Sequence, residues 1–383
     1  MRGVCLVIAA ALCLALPGCS PAPATTAPAL FPAERPDLAV PEPLTLPAPA
    51  TLIEGRSYGV DSDISGYRFE DCEVVIAADG VEISDSEFVN CVVIVDFRRD
   101  ITFEHCIFRD LSRYEETALR VNGSANVTVT ACEFRDNFIG LGVQASTATI
   151  TGSRFVNNNG HNALVVGEGS RATVSGNYFY GSFPHAILVL NRGGSPEAGV
   201  SITGNVIDRS AEDAINFEDY SNAAPSLVSG NVITNTGWAA VLVEYNSWRA
   251  NVTIEDNWIE DTGAGWPLAT HPLQPEVFQA GWGHGILIED ASQVQAINNR
   301  IVSAGEGGIA VRNGREITVE GNGIDCAGAG ISALDYAGES LYREFSPLSP
   351  EDAGGSRVTA RDNVIFSAAE DYADGPASEL LRD

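Results

Sequence analysis

A seven-residue unit recurs along the chain and leaves little freedom in what the chain can fold into. It reads TFEHCIF at 102–108, TVTACEF at 128–134, TITGSRF at 149–155, TVSGNYF at 173–179, SITGNVI at 201–207 and LVSGNVI at 227–233. It continues as TIEDNWI at 253–259, QAINNRI at 295–301, TVEGNGI at 318–324 and TARDNVI at 359–365, with weaker copies EISDSEF at 82–88 and RFEDCEV at 68–74. Most copies lie about 20 to 28 residues apart, the length of one supersecondary unit, and two gaps of about 41 residues carry insertions. Between copies comes a second apolar alternation: ALRVN at 118, GLGVQ at 140, ALVVG at 163, AILVL at 186, AINFE at 214, AVLVE at 240, GILIE at 285 and GIAVR at 308. Period-two patterning means strands, with the second and fourth residues of each pentad facing inward. Short strands repeated coil after coil bury one continuous core only when the coils stack.

The fifth position of the unit reads Cys72, Ser86, Cys106, Cys132, Ser153, Asn177, Asn205, Asn231, Asn257, Asn299, Asn322 and Asn363. Asn tolerates left-handed turns, and stacked amides hydrogen-bond along an axis, so this column is an internal ladder and carries no chemistry. Cys106 and Cys132, about 4.8 Å apart on adjacent coils, form either a disulfide or a pair of buried thiols. The repeat resembles the right-handed parallel β-helix superfamily of pectate lyases, polygalacturonases and alginate epimerases, over roughly residues 67–366. The resemblance implies an all-β solenoid of about twelve right-handed coils; it says little about activity, because the fold serves many functions.

The chain begins Met1, Arg2 and then an apolar run of 13 residues from Val4 to Leu16, too short to span a bilayer and of export-signal character. Leu16, Pro17, Gly18 and Cys19 resemble the bacterial lipobox, which implies lipidation at Cys19. From Ser20 the sequence is dominated by Pro and Ala, read as an extended polyproline stalk able to reach about 90 Å from a membrane. The expected organisation is a signal peptide over 1–19, a tether over 20–55, the β-helix over 56–366 and a C-terminal tail or cap over 367–383.

All 22 basic residues are Arg, which excludes phosphate-loop, Schiff-base and nucleophilic lysine chemistry. A net charge of -29 argues against a nucleic-acid partner. Glycine pairs such as Gly281/Gly283 and Gly328/Gly330 fall at coil turns with no helix following, so no nucleotide site is expected. None of Cys72, Cys91, Cys106, Cys132 and Cys326 has a CxxC partner, so zinc and thioredoxin-like sites are not expected either.

Chemistry is expected on the outward face of the pentad strands, the side that borders the substrate groove in the resembled enzymes. Their third residues run Arg120, Gly142, Val165, Leu188, Asn216, Leu242, Leu287 and Ala310, and their fifth include Glu218, Glu244, Glu289 and Arg312. Three carboxylates in one column, with strands about 5 Å apart, repel one another. A shared Ca²⁺, a raised pKa on the central Glu244, or the flanking Arg312 would each offset that, as would splaying of the acids into water. The column before the strand reads Cys91, Thr117, Ile139, Asn162, His185, Asp213, Ala239, His284 and Gly307. Glu212 with Asp213, and Gly283, His284, Gly285, resemble the paired-Asp and GHG motifs of polygalacturonase-type glycosidases, although Ala239 intervenes. All five tryptophans fall in one stretch, Trp238, Trp248, Trp258, Trp266 and Trp282, partly within an insertion over 260–283 expected to cover the groove.

The sequence thus points to a lipid-anchored cell-envelope protein with a polysaccharide-binding groove. As an enzyme it would be a glycoside hydrolase, a lyase or a uronate epimerase; the alternative is a non-catalytic structural or adhesive β-helix. Catalytic candidates are Glu244, Glu218, Glu289, Asp213, His284 and His185. Trp238, Trp266, Trp282, Tyr245, Asn216 and Arg312 are the expected sugar contacts, and Glu218, Glu244 and Glu289 the expected ligands if Ca²⁺ is bound.

Overall fold

The computed structural model describes residues 31–192, 194–220, 224–244, 249–263, 283–334 and 355–382. Each coil contributes one strand to each of three parallel sheets, and each sheet holds 13 strands in coil order, with no helix among the described residues. The fold is a right-handed parallel β-helix, as the repeat implied. It runs further than expected at both ends. Its first strand is Thr51–Glu54, and the segment expected as a tail or cap supplies two strands of the last coil, Glu370–Asp374 and Glu379–Arg382.

Coils are numbered here by their strand in sheet 1, from Thr51–Glu54 in coil 1 to Val364–Ser367 in coil 13. The seven-residue unit spans the corner from sheet 3 into sheet 1, and the pentads form sheet 2. Inward residues of the pentads, Ile215 and Phe217, Val241 and Val243, Ile286 and Ile288, lie in one continuous core. Phe69, Phe88, Phe108, Phe134, Phe155 and Phe179 stack down the inside of sheet 1, with ring centroids 4.6–5.1 Å apart.

The ladder forms at the expected corner. In each of Asn177, Asn205, Asn231, Asn257, Asn299 and Asn322 the backbone N–H and Nδ2 both donate to Oδ1 of the next asparagine. Two details differ from the sequence reading. The left-handed residue is the fourth of the unit, not the Asn: Gly176, Gly204 and Gly230 have φ of 61–63°, and Asp256 and Asp362 φ of 55°. Cys72 belongs to another column, since its backbone N–H reaches Cys91 Sγ at 3.2 Å across the corner between sheets 1 and 2. Cys106 and Cys132 are buried free thiols.

The largest departure concerns the Pro/Ala-rich segment. Residues 31–50 do not stand off as a stalk; they run antiparallel to the direction of coil growth along the outside of sheet 1. Phe31 packs edge-on against Phe366 of coil 13 at 5.9 Å and over Gly323 of coil 12, where a Cβ would meet its ring at 2.6 Å. Arg35 pairs with Glu260 of coil 10 at 3.5 Å, the Pro41 carbonyl accepts from Arg154 of coil 6, and the Leu44 N–H donates to Glu133 of coil 5 at 2.9 Å. Beneath this strap one outward column of sheet 1 is in register through Ile107, Glu133, Arg154, Tyr178, Val206, Val232, Trp258, Arg300 and Gly323. Ile107, Glu133, Val206, Val232 and Trp258 are buried although they face away from the core. Polyproline geometry explains the fit, since 20 residues at about 3.1 Å match 12 strand spacings of about 4.8 Å. Phe31, Pro32, Pro36, Leu38, Pro41, Leu44 and Leu46 are its half-buried positions, and among them Leu38, Pro41 and Leu44, three residues apart, share one edge of such a helix.

Candidate active site on sheet 2

The corner between sheets 1 and 2 and the adjoining outward face of sheet 2 bring together most of the expected site residues. Register is as read: Leu188, Asn216, Leu242, Leu287 and Ala310 align, Glu218 lies opposite Glu244, and Glu289 opposite Arg312. Leu242, Leu287, Ala310 and Ala239 face outward yet are buried, and form an apolar cluster apart from the core.

Four polar side chains from coils 7 to 9 form a chain across this floor. Asn216 donates from Nδ2 to Glu244 Oε1 at 2.9 Å, and the same nitrogen lies 3.5 Å from His185 Nε2. On the far side of the ring, His185 Nδ1 faces Asp213 Oδ2 at 3.6 Å, too long for a hydrogen bond, while Asp213 Oδ1 accepts the Ala239 N–H at 2.9 Å. This arrangement suits the tautomer with the proton on Nδ1, because Nε2 then accepts from the amide. Among the described residues, His185 Nδ1, Asp213 Oδ2 and Asn216 Oδ1 are buried without a hydrogen-bond partner.

Burial governs the charge state of the cluster. It lowers the His185 pKa to about 3, so the imidazole is neutral. It raises Asp213 and Glu244 well above the ordinary carboxylate range, and neighbouring carboxylates add to the effect. The expected shift on Glu244 is present, but desolvation outweighs the repulsion from Glu218 and Glu289 that the sequence suggested. Glu212, half-buried, is raised to about 7 by burial and then by Glu218.

The other carboxylates of the column are paired separately. Glu289 accepts from Arg312 at 2.7 Å, the compensation anticipated for Arg312. Glu218, whose side chain is 31% exposed, pairs with Arg192 at 3.4 Å. Glu218 shares Arg192 with Asp219, which lies nearer at 2.7 Å, and Glu244 is bonded to Asn216. Among the described residues no group of three or more His, Cys, Asp or Glu is disposed to hold a metal ion, so the expected Ca²⁺ ligands Glu218, Glu244 and Glu289 are not such a group.

His284, two strands beyond Asp213, turns its Nδ1 toward Glu306 Oε2 at 3.5 Å, a partner the sequence reading missed. Trp238 is half-buried, and its backbone N–H donates to the Glu212 carbonyl at 3.1 Å, which places the residue beside the cluster. Trp258 is on sheet 1 under the strap, which breaks up the expected tryptophan group. Tyr245, Trp248, Trp266, Trp282 and most of the insertion, like Cys19, lie outside the described residues.

The family described as right-handed beta helix region matches residues 51–198, and the family described as periplasmic copper-binding protein (NosD) matches residues 194–343. No curated protein matches the sequence. Among solved structures, the alginate lyase AlyF-OU02 aligns with TM-score 0.52 at 15% identity, over 84% of this chain and 80% of that one. A mutant of the periplasmic alginate epimerase AlgG gives 0.51 at 13% identity, over 82% and 77%. An alpha-1,3-glucanase from Streptomyces thermodiastaticus gives 0.51 at 11%, over 86% and 61%. At such identities the likeness shows the fold alone. Among the described residues no group of three or more His, Cys, Asp or Glu is disposed to hold copper, and His185 and His284 are three strand spacings apart, about 14 Å.

Proposed function

We propose that the protein is an extracytoplasmic polysaccharide-binding β-helix whose sheet 2 groove hydrolyses a neutral glycan, with Glu244 as proton donor. The observation that carries this reading is the buried Glu244, its pKa pushed up by desolvation, one strand from the more accessible, arginine-paired Glu218. Glycoside hydrolysis needs such a pair, one carboxyl protonated and one ionised, on either side of the scissile bond. Glu244 protonates the leaving oxygen, while Glu218, which burial and Asp219 push up and Arg192 pulls down, is the less buried of the two and acts as nucleophile or base. Asn216, held between His185 and Glu244, orients the acid. Trp238 offers a flat face to a sugar ring.

A neutral glycan fits better than a polyuronate, because a chain of net charge -29 repels polyanions. The extracytoplasmic location is supported by the export-type N-terminus and by the periplasmic proteins among the matches. Lipid attachment at Cys19 is part of the same proposal.

Turnover of neutral and uronate polymers, with and without chelator, tests it. Hydrolysis of a neutral polymer that is chelator-insensitive and abolished in Glu244→Gln is expected. Unchanged rates in that variant would remove Glu244 as donor, and chelator-sensitive release of unsaturated uronates would indicate a lyase. Glycan binding without turnover would favour a non-catalytic module.

A further inference from the structure

We infer that the strap over residues 31–50 carries the N-terminal segment to the C-terminal end of the solenoid, so that a membrane holding Cys19 faces coils 12 and 13, not coil 1. The lipid part of this statement rests on the anchoring proposed above; the direction of the strap does not.

The argument is one of connectivity. A free tether over 20–50 would leave the solenoid suspended from coil 1, where the chain enters at Thr51, up to about 90 Å from the surface. Phe31 instead meets Phe366 and Gly323, at the opposite end of the structure. Four contacts in chain order, at coils 12–13, 10, 6 and 5, fix the strap along the column it covers. Only the residues between Cys19 and Phe31 remain to span the gap, which limits the stand-off to about 37 Å at 3.1 Å per residue. The surface is chemically suited to this occupant: Tyr178 and Trp258 of the column and Phe366 beside its end give aromatic surface, and Arg154 and Arg300 lie over these rings, with guanidinium-to-centroid distances of 4.4–6.0 Å. Aromatic-lined grooves are what polyproline segments bind in other settings, because the segment is already extended and gives up little entropy.

The orientation has a functional consequence. The carboxylate groove occupies coils 7 to 10, three to six strand spacings from coil 13, or about 14–29 Å. Glycan lying near the anchoring surface therefore comes within reach, and the groove is not lifted to the tip of a long stalk.

Energy transfer between a dye on Cys19 of the unlipidated, signal-free chain and a dye on either Asp61→Cys in coil 1 or Glu370→Cys in coil 13 tests the direction of the strap. Both introduced positions are exposed, and the native thiols of the solenoid are buried. Transfer to coil 13 is expected to exceed transfer to coil 1 severalfold, and the triple change Phe31→Asp, Leu38→Asp, Leu44→Asp should abolish that difference while the β-sheet circular dichroism is retained. Equal transfer, or stronger transfer to coil 1, overturns the inference. For the membrane arm, the same two labelled chains coupled through Cys19 to a maleimide lipid in phosphatidylcholine vesicles should place the coil 13 dye nearer an acceptor lipid. The reverse order there overturns the orientation, whereas failure of cells to lipidate Cys19 would count against the proposed anchoring alone.

Discussion

Replacing Asn231 by Ala removes one rung from the middle of the asparagine ladder. Its Nδ2 donates to the Ile202 carbonyl and to Asn257 Oδ1, both at 2.9 Å, and its Oδ1 accepts the Asn205 N–H and Nδ2, both at 2.9 Å. The backbone N–H of Asn231 still reaches Asn257 at 3.0 Å, and Asn205 Nδ2 keeps the Val174 carbonyl, so neither group is orphaned. The Asn205 N–H does lose its acceptor in a fully buried corner. Three lost bonds at about 1 kcal/mol net each, and one stranded buried amide at about 1–3 kcal/mol, give a destabilisation of about 4–6 kcal/mol. Asn363 provides the comparison, since it is only half-buried and water can replace its amide, so Asn363→Ala should cost about 1 kcal/mol. Urea titration followed by circular dichroism measures both. A loss under about 2 kcal/mol for Asn231→Ala, or equal losses at the two sites, would show that the ladder does not hold the corner as its hydrogen bonds imply.

Three further outcomes follow from the groove. Because burial raises Glu212 to about 7, the folded state holds that proton more tightly than the unfolded chain; stability should be full below pH 4.5 and decline as pH rises toward 7, with Glu212→Gln flattening the decline in a thermal-melt series. His185 works in the opposite sense, adding stability as pH rises from about 3 to 6.5, so His185→Asn should lessen the acid-side loss. Arg312→Ala leaves Glu289 buried without its 2.7 Å partner and should cost about 3 kcal/mol in denaturant unfolding, most of it restored by the double change with Glu289→Gln.

The coil register was legible because it depends on local patterning. Alternation fixes which residues face inward, and a small or amide side chain every coil fixes the corner. Cys72 was misplaced because Asp-Cys-Glu-Val mimics Asp-Ser-Glu-Phe, and the short first coils offer little flanking pattern to separate the two corners. The carboxylate column was legible for the same reason the core was, since outward positions alternate with inward ones. What each carboxylate bonds to was less so: Arg312 follows from register, but Arg192 and Glu306 sit in turns, where spacing does not give direction. The path of the strap was not legible at all. Proline content specifies an extended geometry, but the surface that receives it is assembled from one residue per coil, Glu133, Arg154, Tyr178, Val206, Val232 and Trp258, spread over more than a hundred positions.

That strap changes how the solenoid is expected to come apart. In a stack where each coil touches only its neighbours, the ends fray independently and the middle unfolds last. Here residues anchored at coils 5, 6, 10 and 12–13 belong to the segment that leads directly into coil 1. Opening the last coil at Phe366 therefore releases Phe31, and pulling on the N-terminus loads the far end of the stack before the near one. The two ends of a linear array are joined into a closed mechanical loop, and a force applied through the N-terminus meets the strap first and the coils only afterwards.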